Sequence, residues 1–159
     1  MRRRALALSL LAVASAIACA HQPAQPATQS GHGAISLSIA PNPIVAQPVS
    51  GQAANTYDFP FDIVVRETGG HPLTIKSMTM TVYAFGLPVN TDMYDAARIT
   101  SLGYPTAIAA NGELRYHLAP RRAVTDERLF KNITATVRID AADDTSTPAS
   151  ASTNVSVTR

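Results

Sequence analysis

From Ile35 onward, apolar and polar residues alternate along most of the chain. Ile35, Leu37 and Ile39 stand opposite Ser36 and Ser38 until Pro41-Asn42-Pro43 interrupts the run, the pattern of a half-buried strand that ends in a turn. Tyr57, Phe59, Phe61, Ile63 and Val65 form the strongest such face, opposite Asp58, Asp62 and Arg66, and Gly69-Gly70 then turns the chain. The next run opens with Leu73 and Ile75 on one parity and continues with Met78, Met80 and Val82 on the other. A strand cannot change parity without an extra residue, so a bulge or a change of sheet is predicted near Lys76-Ser77.

Three further strands follow the same rule. Leu114, Tyr116 and Leu118 alternate with Glu113, Arg115 and His117 after Asn111-Gly112, and Pro120 stops them. Ile133, Ala135, Val137 and Ile139 alternate with Asn132, Thr134, Thr136 and Arg138, and Ala151, Thr153, Val155 and Val157 alternate with Ser152, Asn154 and Ser156. About seven strands, each with one face to bury, predict an all-β fold: a single antiparallel β-sandwich over 35–159, with an up-and-down barrel as the alternative. Between Gly86 and Gly112 the alternation lapses. That segment is expected to be a long connection carrying a short helix capped by Thr91 or Asp92, with Met93, Ala96, Ala97 and Thr100 at helical spacing.

The first 34 residues are of a different kind. Arg2, Arg3 and Arg4 precede an apolar run from Ala5 to Ala18, too short to span a bilayer as a mature helix and therefore read as an export signal over 1–18. From Cys19 to Ala34 the chain is Pro-, Gln-, Gly-, Ser- and Thr-rich, the composition of a flexible linker that reaches about 50 Å when fully extended. Export changes the charge balance as well. Thirteen Lys and Arg face eleven Asp and Glu in the whole chain, and loss of the three leading arginines leaves ten, a net charge near −1. The basic face that nucleic-acid binding requires is then missing, and Arg121, Arg122, Arg128 and Lys131 read as a solvated loop. Cys19 is the single cysteine, so no disulfide forms within the chain and the core alone must hold the domain together.

Ala16-Ile17-Ala18-Cys19 resembles the lipobox of bacterial lipoproteins. The resemblance implies cleavage before Cys19, diacylation of its thiol and acylation of the new amino terminus. A cut after Ala20, which also satisfies the small-residue rule, would instead release a soluble chain without cysteine. The residue after the cysteine is Ala20 rather than Asp, which by the family's sorting rule implies the outer membrane in an enteric-type Gram-negative host. The stretches PNPIVA, FPFDIVVRETGGHPLTIKSMTMTVY and NITATVRIDAADDTSTPASASTNVSV resemble the Ig-like or fibronectin-like modules of exported bacterial proteins, which implies an Ig-like sandwich but neither a ligand nor a chemistry.

Candidate chemistry is sparse. Tyr94, Arg98 and Tyr104 in the 86–112 segment are candidate contact residues for a protein or envelope-component partner; the competing reading is that the segment covers one end of the sandwich and buries Tyr94 and Ile99. Asp140, Asp143 and Asp144 at a hairpin tip could offer oxygens to Ca²⁺, although acidic tips also keep sheet ends soluble. Met78, Met80 and His71 contain soft-metal ligand types, but both methionines share the apolar parity of Val82 and are expected in the core. His21, His32, His71 and His117 are scattered, and no GxSxG, HExxH or phosphate-binding glycine loop occurs. The expectation is a lipid-anchored, non-enzymatic binding module of a bacterial cell envelope, without cofactor. A structural accessory subunit is the alternative, and an enzyme or metal carrier a distant third.

Overall fold

The structure, a computed structural model, describes residues 31–51 and 55–159. Its strands are β1 (Ile35–Ala40), β2 (Ile44–Val45), β3 (Gln47–Pro48), β4 (Thr56–Asp58), β5 (Phe61–Glu67), β6 (Leu73–Ala84) and β7 (Leu87–Asp95), followed by helix α1 (Ala96–Ser101). Beyond it come β8 (Ala107–Ile108), β9 (Glu113–Leu118), β10 (Arg121–Ala123), a 3₁₀ helix over Glu127–Lys131, β11 (Ile133–Asp143) and β12 (Pro148–Thr158). The segments are numerous because prolines divide longer strands. Pro60 separates β4 from β5 and Pro120 separates β9 from β10, since a proline has no N–H to give a ladder.

These strands pack as a sandwich with open edges rather than as a closed barrel. One layer contains β1-β5-β9 and the smaller β10-β4-β3 sheet; the other is ordered β2-β12-β11-β6-β7, with β8 also pairing with β6. The chain changes layers after β1: Ala40 still faces Asp62 of β5, but Ile44 pairs in parallel with Val157 of β12. Both intervening X-Pro bonds, Ala40-Pro41 and Asn42-Pro43, are cis. Apolar side chains of both layers meet between them, with Ile63, Val65, Ile75, Val137 and Ile139 fully buried.

The change of parity in β6 is a bulge at the predicted place. Asp140 of β11 faces Ser77 whereas the next residue, Ala141, faces Ile75, so Lys76 is the extra residue. Leu73, Ile75, Met78 and Met80 are consequently all buried. The 86–112 segment departs from expectation. Its first part is strand β7, held antiparallel against β6 from Leu87 to Asp95, and the helix begins after it, capped by Asp95, whose carboxylate accepts the Arg98 N–H. Thr91 and Asp92 are ladder residues opposite Thr81 and Met80 and cannot be the cap. Arg121 and Arg122, read as loop, are also in a strand: Arg121 makes a two-pronged contact with Asp58 at 2.8 and 2.9 Å.

Two buried carboxylates tie off the end of the sandwich where the chain enters from its amino-terminal segment. Glu67 accepts hydrogen bonds from the backbone N–H groups of Ala34, Gly69, Gly70 and Asn111, joining the entry to β1 to two turns. Burial pushes this carboxyl up, but the four donors outweigh it and hold it below the usual glutamate range. Asp143 accepts from the Thr145 hydroxyl and from the N–H groups of Gly33, Thr145 and Thr147. The Thr145 hydroxyl contributes most, and against the desolvation that opposes it this set brings the Asp143 carboxyl down to about 2. A side chain on Gly69 would collide with the His32 carbonyl, so the turn after β5 packs against the entering chain only because it has none.

Candidate functional site

At the opposite end, β6 and β7 are joined by the two-residue turn Phe85-Gly86, with φ of 53° and 77°. Positive φ at both central positions is the hairpin geometry that usually selects Asn-Gly or Gly-Gly. Here the first position is a phenylalanine, 64% exposed, and Leu87, Val89 and Met93 on the following strand are exposed as well. An edge strand with this many uncovered apolar side chains is unusual for a protein that meets only water.

Behind β7 an apolar cavity of about 370 Å³ opens between the two layers. Met80, Val82 and Ala84 of β6, Ile133 and Ala135 of β11, and Ile44 and Val157 line it from one layer; Phe59, Phe61, Val124 and Leu129 line it from the other. The polar residues around it, Asn90, Asp92, Arg122 and Thr125, all reach solvent. β7 and β10 are each the last strand of their sheet, so the cavity lies between two sheet edges with no described strand across them. Arg122 crosses from β10 to Asp92 of β7 at 3.1 Å, and the same carboxylate oxygen accepts from Asn90 Nδ2 at 3.0 Å.

Of the three contact residues predicted from sequence, Tyr94 and Arg98 touch each other and Tyr104 packs against β9. Tyr94 is half-buried against the core from β7, and the Arg98 guanidinium lies 4.3 Å above its ring while donating to the Met93 carbonyl at 3.2 Å. Tyr104 is edge-on to Tyr116 at 5.3 Å with its hydroxyl donating to the His117 carbonyl. Ile99 is buried. Cys19 lies outside the described residues. The Asp140, Asp143 and Asp144 carboxylates do not converge: Asp140 is held by Arg138, Asp143 is consumed by its local donors, and Asp144 lies 3.7 Å from His71. Among the described residues no three His, Cys, Asp or Glu side chains form a metal-binding group. His117 Nδ1 lies 2.7 Å from Asp62 on an exposed strand face, with Arg115 on the same carboxylate at 3.0 Å. His117, ahead of Arg115, holds Asp62 below its ordinary range.

In architecture the chain is similar to a protein described as ApaA from Bordetella pertussis, with a TM-score of 0.56 and 13% identity over 82% of this chain and 98% of that one. It is also similar to structural genomics target SoR45, with a TM-score of 0.50 and 8% identity over 80% and 88%. At such identities the likeness shows the fold alone. No protein-family model and no curated protein matches the sequence.

Sequence reasoning missed Val89 and the cavity-facing role of Asp92 and Arg122, because all three sit where alternation is weak. The one available signal was Phe85-Gly86 between apolar neighbours: a Gly flanked by strand-forming residues is a hairpin mark.

Proposed function

We propose that the protein is a lipid-anchored, non-enzymatic binding module of a bacterial cell envelope, and that it meets its ligand or partner at the β6–β7 end of the sandwich. The observation that carries this reading is the open apolar cavity, lined by Val89 of β7, at the end of the sandwich where Phe85 and Leu87 are exposed. Its position adds support. The linker joins the domain at Gly33, beside Asp143 and the start of β6, whereas the cavity is at the other end of that strand. Twelve residues of β6 separate the two ends, about 36 Å at strand rise, so the apolar end lies on the far side of the domain from the point where the linker attaches. Two or three acyl chains give firm anchoring where one gives only marginal binding.

The test has two parts. The intact mass of the N-terminal peptide from membrane-extracted protein is expected to include acyl chains, and a Cys19→Ala variant to become soluble or to stay unprocessed. A mature chain that begins at His21 without lipid overturns the anchor. A photo-crosslinking residue in place of Leu87 is expected to capture a partner below stoichiometry in living cells. Co-purification of a partner at fixed stoichiometry would identify a structural accessory subunit instead.

A further inference from the structure

We infer that the cavity between β7 and β10 holds the hydrocarbon chain of a single-chain anionic amphiphile, of which a fatty acid is the simplest, with its head group at Arg122. Such a ligand deepens the binding-module reading, and rests on it for the view that this end of the sandwich is a ligand site. The walls at Phe59, Met80, Val82, Leu129 and Ile133 offer apolar surface, and the volume of about 370 Å³ lies at the lower end of the range of small-molecule sites.

A peptide strand is the obvious rival for a cavity between two sheet edges, but both edges are poor templates. β7 contains Pro88, which has no N–H; Val89 is the extra residue of a bulge, since Val82 faces Asn90 and Tyr83 faces Pro88; and the strand also carries Asp92 and Asp95. These are the devices by which edges avoid pairing. β10 is three residues long. A hydrocarbon chain needs no backbone partner and loses nothing to a blunted edge.

The charges at the mouth specify the head group. Among the described residues Arg122 is the one basic residue lining the cavity, and Asp92 is its partner across the opening. Because Asp92 also accepts from Asn90 on the same oxygen, it keeps a donor when an entering anion takes the guanidinium. The exchange trades one charge-assisted contact for another and leaves no carboxylate bare.

The test uses the mature chain, residues 19–159 with Cys19→Ala, and calorimetric titration with straight-chain carboxylates from octanoate to tetradecanoate below their micelle concentrations. Affinity is expected to rise about fourfold per methylene until the cavity is full. Val82→Trp fills the cavity and is expected to abolish binding. Ala84→Trp does the same from the half-exposed end of β6, and circular dichroism verifies that each variant is folded. Arg122→Gln is expected to weaken dodecanoate about tenfold and leave dodecanol unchanged, while Asp92→Asn strengthens dodecanoate. Dodecyl phosphate in place of dodecanoate distinguishes a carboxylate site from a phosphate site on the same arginine. Affinity independent of chain length, binding undiminished in both folded tryptophan variants, or equal loss of acid and alcohol in Arg122→Gln would each overturn the inference. Crosslinking at position 87 without amphiphile binding would leave the binding module standing and remove only this ligand.

Discussion

Phe85 holds a conformation that its own chemistry disfavours. With φ at 53° its Cβ crowds the backbone at a cost of about 1–2 kcal/mol, which Asn tolerates far better. Phe85→Asn is therefore expected to stabilise the domain by about 1 kcal/mol, a rise of about 4 °C in Tm by calorimetry, while reducing crosslinking at the apolar end. An unchanged or lower Tm would mean that the ring makes up the cost through contacts. Glu67 is the opposite case, a residue whose surroundings are built around its charge. Glu67→Gln turns an amide NH₂ toward backbone donors and is expected to cost about 2 kcal/mol at neutral pH. Both buried carboxyls titrate below their unfolded values of about 4.3 for Glu and 3.9 for Asp. Their stabilisation is therefore complete above those values and disappears as pH falls through the folded ones, for Asp143 between about 4 and about 2. In urea melts the gap between wild type and Asp143→Asn is expected to be widest near pH 7 and to narrow steadily from about pH 4 down to pH 2. The sequence could not show these roles. Glu67 in RETGG and Asp143 in DAADDT look like solvated acids, and what buries them is backbone arriving from Ala34, Asn111 and Gly33, each distant in the chain.

At the level of elements, strands with a clean apolar face were legible because burial on one side imposes a period of two, which a sequence displays directly. The break of period in β6 was legible for the same reason, and it leads to a prediction. Deleting Lys76 removes the bulge yet leaves Leu73 and Ile75, both fully buried, on the core face, because 73, 75, 78 and 80 then alternate without a break against β11. The deletion is therefore expected to stay close to wild type in urea midpoint, as is Lys76→Ala, whereas Ile75→Ala, which empties a fully buried position, is expected to lose about 2–5 kcal/mol. β7 was not legible. LPVNTDMYD has a proline, two aspartates and an asparagine, and its extended form comes from the ladder with β6 rather than from its own preference. The misplaced helix cap is part of the same error, since Thr91 and Asp92 are suitable caps only while they remain outside a strand.

For the whole molecule, composition and alternation were enough for an all-β domain but not for the choice between sandwich and barrel, which depends on whether the last strands of the two sheets meet. They do not, and the cavity lies where they would. Its lining comes from both layers and from the 3₁₀ helix, a convergence that no local pattern announces. The placement of Gly33 and the β6–β7 turn at opposite ends of the sandwich also bears on how the domain responds to force. A load between Gly33 and the β6–β7 turn runs parallel to the strands, so the β1–β5 ladder, six paired positions from Ile35–Glu67 to Ala40–Asp62, is sheared as a unit instead of being unzipped one bond at a time. A domain pulled in this direction yields late and all at once.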